Sequence, residues 1–261
     1  FDVKNAFLHD ALEEEVYIDI PPGFEDYQTE SKVCRLRMSL YGLKQSPRTW
    51  FERFTHAMLK YGFKQSQTDH ILFVKHSSCG KTTILIVYVD VIVLTGDDSE
   101  EIPLLKKYLA SEFEIKDLGS LKYFLGIEVA RSKDGIFISQ RKYVLDLLKE
   151  TGMLGSKACD TPLEPNQKLG DDKGGEVIDR GSYQRLVGKL IYLSHSRPDI
   201  AVAISVVSQF MHAPHQIHFE AVMRILRYLK SAPGKGLYFS KYDHLRVEAY
   251  TDADWAGSII D

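Results

Sequence analysis

Cysteine is scarce and scattered: Cys34, Cys79 and Cys159 are the only three in 261 residues. An odd count without paired spacing excludes a disulfide framework and a cysteine-built zinc site, and reads as three free thiols in a reducing compartment. No apolar run approaches the roughly 18 residues a membrane span needs, and no basic leader precedes a short apolar stretch as in a signal peptide. Internal repeats are lacking too. Net charge is only −3, which by itself points to no polyanionic partner. The chain opens on Phe1, which reads as strand interior, and stops at Asp261 a few residues into a new element, so both ends read as cut.

What is present is ordinary globular material, 44% apolar and 26% charged, enough to pack a core. The charges are unevenly placed. Residues 1–30 hold nine acids and one lysine, whereas residues 31–64 hold eight Lys or Arg and a single acid, Glu52. An acidic segment beside a basic one suits a metal-dependent enzyme acting on polyanions, with carboxylates for cations and cations for phosphates. Solvated surface charge is the alternative reading of the same pattern.

Periodicity supplies the elements. Phe1–Val3 reads as the end of a buried strand, and Val16, Ile18 and Ile20 alternate in a half-buried one ended by Pro21-Pro22-Gly23. Ser46-Pro47 predicts a helix start with a capping hydroxyl, after which Trp50, Phe51, Phe54, Met58 and Tyr61 recur at helical spacing and Gly62 closes the helix. Strands are predicted at Ile71–Lys75, Thr82–Val89 and Ile92–Thr95, the last two meeting in a tight hairpin at Asp90-Val91. A helix opens at Ser99-Glu100-Glu101, Tyr123 to Val129 alternates as one strand, and Asp134-Gly135 turns it back into Ile136–Ser139. Helix Lys142–Lys149 follows. Residues 155–178 read as a linker, and helical patterns cover Tyr183–Leu193, Ile200–Met211 and Phe219–Lys230 before a strand at Val247–Tyr250. Hairpin-connected strands with helices between them predict an α+β fold with an antiparallel sheet.

Two carboxylates carry the chemistry. Asp2 ends a buried-looking strand, and Asp90 sits at the tip of an apolar hairpin. A carboxylate at such a place costs desolvation unless a cation or donor compensates it. On neighbouring strands the pair could hold two magnesium ions about 3.5–4 Å apart, magnesium being content with few carboxylates plus phosphates and water. By spacing alone the signal is weak, and strand-end aspartates read more readily as plain turn residues.

Longer motifs add a resemblance. Phe1-Asp2-Val3-Lys4-Asn5-Ala6-Phe7-Leu8-His9, then Val16-Tyr17-Ile18 with Pro21-Pro22-Gly23-Phe24, resemble the first palm motif of copia-type retrotransposon reverse transcriptases and the segment after it. Leu40-Tyr41-Gly42-Leu43-Lys44-Gln45-Ser46-Pro47-Arg48 with Trp50-Phe51 is similar to the second motif, and Tyr88-Val89-Asp90 with Leu94-Thr95-Gly96 to the tyrosine-x-aspartate-aspartate box. Phe124-Leu125-Gly126-Ile127 looks like the primer-grip strand. Leu186–Leu190 with Arg197-Pro198-Asp199-Ile200, and Arg224–Lys230, are typical of the same elements, and Thr251-Asp252-Ala253-Asp254-Trp255 resembles the start of their ribonuclease H.

The resemblance implies a palm-type antiparallel sheet with packed helices over residues 1–154, the 155–178 linker, a helical connection over 179–245, and a truncated ribonuclease H-like start over 246–261. It implies two Mg2+ ions, with Mn2+ as a substitute, held by Asp2, Asp90 and the carbonyl of Val3 and serving an attacking hydroxyl and a departing pyrophosphate. Phe7 would gate the sugar by leaving no room for a 2′-hydroxyl; Tyr41 and Gln45 would line the nucleotide pocket. Lys44 and Arg48 would contact phosphate near a helix N-terminus, and Phe124, Leu125 and Gly126 the primer. Asp252 would be the first carboxylate of an incomplete ribonuclease H site. Implied partners are an RNA or DNA template with primer, deoxynucleoside triphosphates and other parts of the Pol polyprotein, with no membrane, in cytoplasmic virus-like particles where such elements are expressed.

Three departures qualify this. Val91 stands where the box has its second aspartate, and valine cannot ligate magnesium. His9-Asp10-Ala11-Leu12 replaces a histidine-glycine-aspartate-leucine pattern. The fingers segment is not represented. The expectation is therefore a palm relic without activity, set against an active polymerase fragment and against a non-catalytic nucleic-acid-binding or assembly module.

Overall fold

The structure, a computed structural model, describes residues 1–8, 12, 14–24, 32–164, 169–170 and 178–241. The expected strand at 247–250 and Asp252 lie outside them. The chain divides into two compact units, Phe1–Ser120 and Leu121–Asp261. Mixed helix and antiparallel sheet is the class in both, as the periodicity implies.

The first unit contains β1 (Asp2–Val3), β2 (Tyr17–Ile18), β3 (Cys34–Arg35), α1 (Ser46–Lys60), β4 (Lys64–Gln65), β5 (Leu72–His76), β6 (Thr82–Tyr88), β7 (Val91–Gly96), α2 (Glu101–Glu112) and β8 (Ile115–Lys116). Six strands form one sheet in the order β4-β5-β6-β7-β1-β8, and every pairing is antiparallel. Register sorts the residues by face. Phe73, Leu85, Val87, Ile92 and Val3 point one way and join Trp50, Phe54 and Met58 of α1 and Leu105 and Leu109 of α2 in a buried core. Burying such side chains contributes about 1.5–3 kcal/mol each, and this core sets the register. The opposite face carries Leu72, Val74, Ile84, Ile86, Val93 and Val91, all half-buried, and ends at Asp2.

Two caps differ from expectation. The Ser46 hydroxyl donates to the Leu40 carbonyl (2.8 Å) instead of capping α1, whose cap position is Gln45. At α2 the capping oxygen is Asp98 Oδ1, accepting from Glu100 and Glu101 N–H (3.2 Å each), while Ser99 is not the cap. These N–H groups hold the Asp98 carboxyl below its ordinary range. Gly62 (φ +99°) closes α1 as predicted. Cys34, Cys79 and Cys159 are free.

The second unit contains β9 (Tyr123–Phe124), β10 (Ile127–Arg131), β11 (Gly135–Ser139), α3 (Arg141–Glu150), α4 (Arg180–Ser194), α5 (Ala201–Ser208), α6 (Gln216–Ser231) and β12 (Gly236–Ser240). Residues 121–154, grouped by resemblance with residues 1–120, pack here: Val144, Leu147 and Leu148 of α3 share a core with Tyr183, Val187, Leu190, Val207, Ile225 and Leu226. The predicted continuous strand from Tyr123 to Val129 is instead a hairpin, with Phe124 paired to Ile127 around a Leu125-Gly126 turn. Both turn residues have positive φ, +48° and +84°, the requirement of a two-residue hairpin turn that pattern counting overlooked. Strand β12, also unforeseen, pairs with β11 over five residues. Arg197, 1% exposed, is held by Asp199 through Nε and a terminal nitrogen (2.9 Å each) and by the Ala232 carbonyl (3.0 Å), and Tyr228 and Lys235 donate to the same carboxylate. This network ties the short 3-10 turn at Pro198–Ile200 to the end of α6. Among the described residues no helix is long and apolar enough to cross a membrane.

Candidate catalytic site

Strand β1 lies between β7 and β8, so Asp2 stands beside the β6–β7 hairpin. The hairpin turn falls one residue earlier than predicted. Tyr88 pairs with Val91, leaving Val89 and Asp90 as the turn and Val91 as the first residue of β7. In this register Val87 is paired with Ile92 on the buried face, which Val3 shares.

Asp2 is thereby directly opposite Val91. The pair is flanked by hydrogen bonds from Ile92 N–H to the Phe1 carbonyl (2.9 Å) and from Val3 N–H to the Asp90 carbonyl (2.8 Å). It is a non-hydrogen-bonded pair, the kind in which side chains sit closest, with Cα atoms about 4.5 Å apart. Asp2 thus lies on β1 at one end of the sheet and Asp90 in the adjoining β6–β7 turn, both partly exposed, while the side chain facing Asp2 belongs to Val91.

The turn is strained. Val89 has φ +56°, a region a β-branched side chain rarely enters and which costs on the order of 1–3 kcal/mol. Its side chain is half-exposed, so packing does not explain the conformation. Its carbonyl, however, accepts a 2.8 Å hydrogen bond from the indole N–H of Trp50, which is 2% exposed and wedged between Phe54 and Phe113.

The other predicted positions fall into three groups. Phe7 is 9% exposed, a core residue whose ring meets Tyr41 edge-on at 5.3 Å; Tyr41 itself is 56% exposed. Lys44, Gln45 and Arg48, at the start of α1, line an open cleft of about 570 Å3 together with Glu14 and Glu52. Its charge is mixed, and neither Asp2 nor Asp90 lines it. In the second unit Leu125 is exposed at the β9–β10 turn, and its carbonyl accepts from the Tyr192 hydroxyl. Gly126 (φ +84°) lies against the rings of Tyr143 and Tyr192.

Two carboxylates and main-chain carbonyls are hard oxygen donors of the kind Mg2+ accepts, so the residues at this sheet end fit a divalent cation, with position 91 contributing nothing. Among the described residues no cluster of three or more His, Cys, Asp or Glu side chains forms a metal site.

Residues 1–165 match the family model described as reverse transcriptase (RNA-dependent DNA polymerase). The chain belongs to this family. It is 44% identical over 257 residues to a retrovirus-related Pol polyprotein from transposon RE1 of Arabidopsis thaliana, covering 98% of this chain and 17% of that protein. It is 42% identical over 261 residues to the corresponding RE2 polyprotein of the same plant, covering 100% and 18%. With the polyprotein of transposon TNT 1-94 from Nicotiana tabacum it shares 39% over 269 residues, covering 99% and 20%. The chain thus spans about a fifth of the length of these relatives. No solved structure matches it. It is a reverse-transcriptase region like that of transposon Pol polyproteins.

In this reverse-transcriptase region the role that sequence reasoning missed is that of Trp50, read as an apolar helix position and as part of the second motif, with no part given to its indole N–H. A buried indole N–H needs an acceptor, and that requirement was the available signal.

Proposed function

We propose that the first unit is a polymerase palm whose reaction is templated DNA synthesis, and that Val91 disables it in this chain. Members of the family use divalent metal ions. Asp2, Asp90 and the Val3 carbonyl are the groups that would hold Mg2+ or Mn2+ here. When bound, such ions supply positive charge to the attacking hydroxyl and the leaving pyrophosphate. The chain's own residues would do the rest: Arg48 and Lys44 bind the primer–template or triphosphate, Tyr41 and Gln45 border the nucleotide, and Phe7, backed by Tyr41, limits space at the sugar. Phe124–Gly126 would contact the primer, and Asp252 would begin a ribonuclease H site. Template, primer, deoxynucleotides and the remaining Pol segments are the partners this reading requires.

The observation that carries it is the pairing of Asp2 with position 91, one residue beyond Asp90. A carboxylate at 91 would face Asp2 at the closest cross-strand distance, and its loss removes one negative charge from beside the cations. That omission costs roughly a thousand-fold or more in rate, about 4 kcal/mol.

Primer extension with Mg2+ or Mn2+ is the test. The expected result is no product from the chain and a gain of Mn2+ affinity in Val91→Asp that Asp2→Asn abolishes. Templated synthesis by the unaltered chain would refute the defect, and a Val91→Asp protein with no gain in Mn2+ affinity would refute the site. A second reading, a non-catalytic nucleic-acid-binding or assembly module, is favoured by Val91 itself. It predicts salt-dependent primer–template binding without synthesis.

A further inference from the structure

The peptide unit between Val89 and Asp90 carries the carbonyl that Trp50 holds, so its orientation fixes the φ of Asp90 and with it the direction of the Asp90 Cα–Cβ bond. Nothing local would choose this orientation. Val89 at φ +56° is disfavoured by its own side chain, which is half-exposed and gains no packing there. The restraint comes from outside the hairpin: the indole N–H at 2.8 Å on the Val89 carbonyl, and the Val3 N–H at 2.8 Å on the Asp90 carbonyl. The indole is itself immobile. It is 2% exposed, with Phe113 edge-on at 5.1 Å and Phe54 at 5.7 Å.

We infer that Trp50 is a positioning residue for Asp90, acting through the main chain. Its indole N–H holds the strained Val89 peptide so that the carboxylate is presented beside Asp2. The inference rests on the palm reading above and deepens it. Removing the indole donor frees the peptide to rotate toward a turn that suits valine, which turns Asp90 away from Asp2. Core packing is retained where the replacement keeps the bicyclic shape of the indole.

The experiment uses Mn2+, whose free ion is counted by electron paramagnetic resonance, and the full-length Val91→Asp protein as the metal-competent parent. Trp50→Phe in that parent is expected to weaken Mn2+ binding about ten-fold, the lower end of what loss of a ligand-orienting partner costs. Leu105→Val, a packing change on α2 in the same core at a side chain that is not one of the rings flanking the indole, is expected to leave Mn2+ affinity within two-fold, an effect on the order of 0.4 kcal/mol. If Trp50→Phe does not fold, replacing the indole by benzothiophene in a Trp255→Phe background keeps the bicyclic shape and deletes only the donor. The chain has two tryptophans, so two indole N–H signals are expected, assigned by Trp255→Phe. The Trp50 signal is expected to be strongly protected from hydrogen exchange. Equal Mn2+ affinity with and without the donor, or a Leu105→Val loss as large as that of Trp50→Phe, overturns the inference while the palm reading stands. Absence of Mn2+ binding in Val91→Asp, or binding insensitive to Asp90→Asn, overturns both.

Discussion

Replacing Val91 by aspartate is expected to make the first unit less stable without metal and to return most of that stability with metal. The magnitude follows from the register. Position 91 faces Asp2 in a non-hydrogen-bonded antiparallel pair, which places the two carboxylates roughly 5 Å apart. At that separation two unit charges repel by about 1–3 kcal/mol for effective dielectric constants between bulk water and a protein surface. Loss of the half-buried valine adds about 1 kcal/mol, so the metal-free variant should lie about 2–4 kcal/mol below its parent. A cation at one hundred times its dissociation constant restores about 2.7 kcal/mol. The assay is urea unfolding followed by Trp50 fluorescence in a Trp255→Phe background, once in excess EDTA and once in saturating Mn2+. The parent, with only Asp2 and Asp90, should gain less than about 0.5 kcal/mol from the metal. A variant as stable as its parent in EDTA would show that positions 2 and 91 do not face one another. A parent that gains as much from Mn2+ as the variant would show that Val91 is no lesion.

Further expectations concern the framework. Asp199→Asn should destabilise the second unit by about 3–5 kcal/mol, because it leaves the fully buried Arg197 without its counter-charge; a loss under about 1 kcal/mol in chemical denaturation would show the pair to be dispensable. Burial alone would raise the Asp199 pKa, but hydrogen bonds from Arg197, Tyr228 and Lys235 outweigh it and hold the carboxyl well below its ordinary 3.8. A depressed folded-state pKa stabilises above the unfolded value and loses that contribution as pH falls toward the folded one. The gap between parent and Asp199→Asn should therefore be flat above about pH 5 and shrink below about pH 4, and a gap that changes between pH 6 and 8 would contradict this. Val89→Gly should stabilise the hairpin by up to about 1 kcal/mol, measured as a raised melting temperature, since glycine takes positive φ without steric cost. Gly96→Ala should cost more than about 2 kcal/mol: at φ +151° the added Cβ would lie 2.3 Å from the Thr82 carbonyl oxygen and push β6 from β7, an effect visible as loss of amide protection in both strands.

The main elements were legible because periodicity and core coincide in them. Trp50, Phe54 and Met58 recur on one face of α1 and are buried, and the runs at 71–75, 82–89 and 92–95 match β5, β6 and β7 within a residue or so. Failures came where backbone dihedrals, which pattern counting cannot see, decide the outcome. Tyr123, Leu125, Ile127 and Val129 alternate like one strand, yet Leu125 and Gly126 both take positive φ and fold the segment on itself. Strand β12 was invisible for a different reason. Gly236–Ser240 is short and half-exposed, and only pairing with β11, about a hundred residues away in sequence, makes it a strand.

At the site the decisive error was a single residue in the place of the turn. Reading Asp90-Val91 as the turn leaves Val91 outside the sheet, where its identity could matter only through charge. With Val89-Asp90 as the turn, Val91 enters β7 and becomes the partner of Asp2. A β-branched valine resists a tight turn. Val89 bears the strain, at φ +56°. In the observed register Val87 and Ile92, 2% and 1% exposed, are direct cross-strand partners in the core they share with Val3 and Trp50. The same Trp50 that fills the core then supplies the hydrogen bond on the strained peptide. Packing that fixes the sheet therefore also fixes the turn, and a change at position 50 should register at Asp90 before it registers in the fold.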